Sequence, residues 1–129
     1  MLGALKRLIS GGDRAALSGD AAEAGSAASN TAVRLHLSRQ GDLGLTPRIV
    51  THFMYPDAGL SPGPRSHVAD IFSDLDGALS DAHERNGFVF EQTCNLHPDT
   101  FDVFTEKLRR DLRELGWTYD GWECAVTKE

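Results

Sequence analysis

The run Trp117–Val126, WTYDGWECAV, restricts the fold more than any other stretch of the chain. Read as a strand with strict alternation, it would put Trp117, Tyr119, Gly121, Glu123 and Ala125 on one face, a poor core face. One extra residue at Asp120–Gly121 turns that set into Trp117, Tyr119, Trp122, Cys124 and Val126, which is strongly apolar. A β-bulge inserts such a residue, and glycine supplies the positive φ that a bulge often needs. A two-residue hairpin turn at Asp-Gly is the rival, but too few residues follow it to build a second strand. The run therefore predicts a bulged strand with one buried face.

The other elements follow from period and punctuation. RIVTHFMY, entered through Pro47, alternates Ile49, Thr51, Phe53 and Tyr55 against Val50, His52 and Met54, and so predicts a strand. NTAVRLHLSRQG predicts a helix with Asn30 as N-cap, Val33 and Leu37 on one face and Gly41 as the stop. Its competitor is a strand, because Val33, Leu35 and Leu37 also alternate. DAGLSPGP is a loop, since Pro62 and Pro64 forbid a regular element. From Ser66 to Asn86, apolar residues at Val68, Ile71, Phe72, Leu75, Leu79 and Ala82 predict one long helix. Asp70, Asp74, Asp81 and Glu84 would mark its wet face, and Gly87 would close it. FVFEQTCNL predicts a second strand. Pro98, with Asp99 and Asp102 in the first turn, opens a helix whose stripe is Phe101, Phe104, Leu108, Leu112 and Leu115.

Residues 1–29 read as a flexible or weakly helical N-terminal segment, followed by one folded domain over 30–129. Ser10 to Asn30 is rich in Ala, Gly and Ser and has no aromatic residue, so it buries little against its ordering entropy. Leu2, Leu5, Leu8 and Ile9 could line a short helix ahead of it.

Composition narrows the function classes. A net charge of −6 argues against direct nucleic-acid binding, which needs clustered Lys and Arg, and suits a partner with a basic surface. The two cysteines fall short of a disulfide framework and fit a reduced compartment. MLGALKRLIS is interrupted by two basic residues and predicts neither a signal peptide nor a membrane span, so the expectation is cytoplasmic.

The sequence carries no Gly-rich phosphate loop, no GxSxG elbow and no zinc-type cysteine pair, and predicts no cofactor and no metal. Cys94 and His97 lie three apart in CNLH, and His52 and Cys124 fall on candidate neighbouring strands. A thiolate–imidazole pair can ligate zinc or act as a nucleophile, but each task needs further ligands or an orienting group. The plainer reading makes Cys94 a small buried hydrophobe, His52 a satisfied core histidine, and Trp117, Tyr119 and Trp122 core aromatics.

Over about residues 32–126, the order of the motifs resembles the RraB family, regulator of ribonuclease activity B. The matching pieces are Thr51-His52-Phe53-Met54-Tyr55, Gly87-Phe88, and Tyr119-Asp120-Gly121-Trp122. The resemblance implies an α+β fold of two-layer ferredoxin-like type, two long helices on one face of a mainly antiparallel sheet. It implies a non-enzymatic regulator that binds ribonuclease E outside its catalytic domain and modulates RNA turnover. Asp70, Asp74, Asp81 and Glu84 would then form the partner-binding surface, together with a sheet edge. The family has a hairpin plus a helix between the Gly-Phe pair and YDGW, whereas this reading finds one strand and one helix there. Either FVFEQTCNL replaces two strands, or the sheet borrows a strand from AVRLHL or from a second chain. The alternatives from other classes are a small thiol/histidine hydrolase using Cys94, His97 and His52, and a homodimeric, immunity-type interaction module.

Overall fold

The structure, a computed structural model, describes residues 7–10 and 23–127. In chain order the elements are β1 (Arg7–Ser10), α1 (Ala27–Ser38), β2 (Arg48–Pro56), α2 (Arg65–Ile71), β3 (Ala78–Asp81), β4 (Phe88–Cys94), α3 (Pro98–Glu114) and β5 (Trp117–Ala125). A single 3-10 turn, Ala58–Leu60, follows β2. The architecture is α+β, with a five-stranded sheet in the order β1-β5-β2-β4-β3. Each neighbouring pair is antiparallel.

The predicted bulge is present. Phe53 of β2 faces Gly121 of β5 while Met54 faces Tyr119, so Asp120 is the additional residue. Gly121 takes φ 118°, a region that side-chain-bearing residues rarely adopt. The shift puts Trp117, Tyr119, Trp122 and Cys124 together on the buried face.

That face meets the helices in one core. Val33 and Leu37 of α1, Val68 of α2, and Phe101, Leu108 and Leu112 of α3 cluster with Val50, Met54, Phe90, Trp117 and Trp122. The helix at Pro98 matches its expectation, and its N-cap is His97, whose Nδ1 accepts from the Asp99 N–H at 3.1 Å. The helix reading of AVRLHL also holds, but α1 begins earlier, with Ser26 as N-cap. Asn30 therefore lies inside the helix and is fully buried. Its amide donates to Asp102 Oδ1 and Thr105 Oγ1, both at 2.9 Å, and its carbonyl accepts from the Trp122 indole at 2.8 Å. One side chain thus ties α1 to α3 and β5.

The long helix over Ser66–Asn86 is not formed. α2 ends at Ile71 after seven residues, and Ala78–Asp81 is an edge strand paired with β4. Among the described residues one long helix, α3, stands where two were expected, with α1 as a shorter one beside it. The physical reason sits at Gly77. A Cβ there would lie 2.4 Å from the Glu91 carbonyl oxygen and 2.5 Å from the Phe90 ring, so the chain passes flush against β4. The β3–β4 connection turns through Arg85 and Asn86, both at positive φ, as tight hairpin turns of the I′ type require. The additional strand thus lies upstream of Gly87-Phe88, inside the stretch expected to be helical, and AVRLHL does not supply it.

The N-terminal expectation also changes. Leu8 and Ile9 belong to β1, which pairs with residues Trp122–Ala125, so a segment read as tail or helix is part of the sheet. The local cause is the open edge of β5, whose backbone groups a short extended segment satisfies. Leu2, Leu5 and residues 11–22 lie outside the described residues.

Candidate functional site

His52 is the centre of the chemistry-bearing residues. Alternation along β2 turns it inward, where its ring is fully buried among Phe90, Phe101, Phe104 and Tyr119. Its Nε2 lies 2.6 Å from Gln92 Oε1, which can only accept, so Nε2 carries the proton. In the neutral ring Nδ1 is then an acceptor, and it accepts a hydrogen bond from the Tyr119 hydroxyl at 2.7 Å. Burial lowers the His52 pKa to about 4, against the opposing pull of the Gln92 hydrogen bond. Burial likewise raises the Tyr119 phenol well above 10, with Cys94 adding to it. Both groups are held neutral at physiological pH, each bonded to the other.

The thiol–histidine arrangement is not assembled. Cys94 lies in register with Arg48, whereas His52 is in register with Phe90, four residues back along β4. That spacing corresponds to roughly 13 Å along a strand. His52 and Cys124 do lie on neighbouring strands, but Cys124 faces Val50, two residues away. His97 is turned outward as the α3 cap, with its own N–H bonded to Asn95 Oδ1 at 2.9 Å. Burial pushes the Cys94 thiol up to about 11, Cys124 adds to this, and Arg48 opposes it. The cysteines are also separated by the full width of β2, a distance of roughly 10 Å that a disulfide cannot span.

A second polar centre escaped the sequence reading. Arg48 opens β2 on the buried face, and its guanidinium grips the fully buried Asp42 carboxylate, with Nη2 to Oδ1 at 2.9 Å. Burial pushes Asp42 up, but Arg48 and the backbone N–H groups of Thr127 and Gly44 outweigh this and hold it below its ordinary range. The pair fixes the loop before β2 to the end of β5 and the chain after it, with Arg48 donating to the Ala125 carbonyl and the Thr127 N–H donating to Asp42. The arrangement is a closed structural clamp, since each partner's charge is met by the other.

The four acidic positions do not share a helix face. Asp70 lies in the last turn of α2, Asp74 in the turn after it, Asp81 at the end of β3, and Glu84 in the β3–β4 connection. All are exposed, and Asp81 is paired with Arg65. The motif residues, in contrast, converge. Tyr119 and Trp122 reach His52 and Asn30, Phe88 lies beneath the Arg65 guanidinium at 3.9 Å, and Phe53 crosses to Gly121 on the opposite face. Gly87 is required where it stands, because a Cβ would come 2.4 Å from the Met54 carbonyl oxygen and the Tyr55 ring. Gln92 and the inner role of Asn30 were missed, although Gln92 alternates inward from Phe88 and Phe90 on β4.

Among the described residues, no group of three or more His, Cys, Asp or Glu side chains is placed to hold a metal ion. No described helix is long and apolar enough to cross a membrane. In comparisons with known proteins, no family model matches the chain, and no curated protein and no solved structure resembles it significantly.

Proposed function

We propose that the chain is a non-enzymatic regulator that acts by binding a protein partner, in the manner of the RraB-like motif order. The observation that carries this reading is the bond between two of the quoted motifs, Tyr119 of YDGW and His52 of the β2 strand, deep in the core. Both groups are neutral, buried and hydrogen-bonded, so the residues best suited to proton transfer are engaged in tying β2 to its neighbours β5 and β4. The thiols support the same reading, because a working nucleophile needs a lowered pKa and Cys94 has a raised one.

The strand order supports a ferredoxin-like description of the segment β2–α2–β3–β4–α3–β5. Its strands lie in the order β5-β2-β4-β3, with β1 and α1 added at the N-terminal side. The fold by itself carries no function. The choice of partner rests on the motif resemblance and on the net charge of −6, which favours fast encounter with a basic surface.

Ribonuclease E is the partner to test first. Titration of the purified chain into purified ribonuclease E, followed calorimetrically at low and moderate salt, should give saturable binding that weakens as salt rises. The same addition should slow RNA cleavage. Saturable binding to no preparation of the enzyme, with cleavage unchanged, would remove ribonuclease E as the partner.

A further inference from the structure

The sheet has a second face, turned away from the three described helices, and its layout follows from the strand register. The core cluster that holds the helix residues contains none of Ile49, Thr51 or Phe53, the outward residues of β2. Thr51 sits at the centre of this face, opposite Glu91 on β4 and Glu123 on β5. One carboxylate-bearing residue therefore stands a strand spacing, about 4.8 Å, to each side of it. In the next row Phe53 lies between Val89 and Gly121, and Ile49 lies beyond the acidic row, beside Thr93.

An antiparallel sheet can leave one face to water, and a solvated face is usually polar throughout. This one is not. Ile49 is 56% exposed, and Phe53 and Val89 are partly exposed on the other side of the acidic row. Thr51 between them is only 6% exposed. A polar floor beside the exposed carboxylate of Glu91, bracketed by apolar residues, is complementary to a cationic side chain carried between apolar neighbours.

We infer that this outer face is the docking surface, and that its occupant is a protein segment presenting a lysine or arginine flanked by apolar residues. The cation would sit over Thr51 beside Glu91, and the neighbours would cover Ile49 and the Phe53–Val89 pair. A second copy of the chain is the poorer fit, because stacking this face on itself brings acidic rows together. The inference deepens the protein-binding reading above and rests on it, and it replaces the dispersed acidic positions Asp70, Asp74, Asp81 and Glu84 as the recognition surface.

The test places the photo-crosslinker benzoyl-phenylalanine at Thr93, on the outer face, or at Arg110, on the exposed side of α3. The full chain is irradiated in native cell extract, and the crosslinked peptides are sequenced. The Thr93 probe should capture a peptide with a basic residue between apolar ones. Adding Glu91→Lys should cut the yield at least tenfold, with the circular dichroism unchanged. Capture at Arg110 alone would overturn the outer face and leave the protein-binding reading standing. Capture at Thr93 of a second copy, of a peptide with no basic residue, or with a yield indifferent to Glu91→Lys would overturn the occupant. Capture at neither position would overturn both readings.

Discussion

His52, expected from the sequence to be a satisfied core histidine, is packed among four aromatic rings. Its neutral form is bonded at both nitrogens, and its pKa falls from 6.5 to about 4. A base with a depressed folded pKa stabilises the fold fully above its unfolded value and loses that contribution as pH falls. Urea melts of the parent should therefore show a decline between pH 6.5 and pH 4, on the order of 3 kcal/mol, relative to His52→Gln. A constant difference between the two proteins across that range would contradict the buried neutral ring. The thiols give a second residue-scale prediction. With its thiol raised to about 11, Cys94 should react slowly with iodoacetamide at neutral pH in the folded protein and quickly once unfolded. Rapid labelling under native conditions would revive the nucleophile reading.

Among the elements, β5 and β3 mark what was and was not legible. The bulge could be read because a single inserted residue converts a mixed face into an apolar one, a signal local to ten residues. Gly121→Val forces a β-branched side chain to φ 118° and should destabilise by about 1–3 kcal/mol, seen as a lower melting temperature. An unchanged melt would argue against a glycine-dependent bulge. By contrast, β3 was hidden. Val68, Ile71, Phe72, Leu75 and Leu79 satisfy a helical period although Leu79 faces Phe90 across a strand pair. Nothing local to Gly77 announces that it must lie against the Glu91 carbonyl. Two pairs, Asp76-Gly77 and Asn86-Gly87, did bracket the segment, and the second is a hairpin signal that was read as a helix stop. Asn30 was misplaced for a related reason: a residue that favours caps was taken as one, while its actual bonds reach Asp102, Thr105 and Trp122. Asn30→Ala should therefore cost about 2–4 kcal/mol in chemical denaturation, since it strands the buried indole N–H and empties the junction of three elements. A cost near that of an exposed helix substitution would refute the junction.

At the scale of the molecule, the two faces of the sheet differ: one is packed against the helices, and the other is the face proposed for a partner. The packing face was largely legible, because alternation and helical stripes name the same buried residues. The outer face was not, because the row Glu91–Thr51–Glu123 draws each member from a different strand and exists only once the register is set. The same register has a consequence for how the protein is made. β5 fills the gap between β1 and β2, so those two strands come together only through a third that follows β2 by more than sixty residues. During vectorial synthesis the first strand must wait, unpaired, while more than a hundred further residues leave the ribosome. Contacts of such long range are slow to form, and the waiting edges invite association with other chains. Nascent chains stalled with residues up to about 110 exposed should therefore be cut readily by protease, and chains exposing β5 should resist. Early protection would mean that β2, β3 and β4 close a stable unit without it.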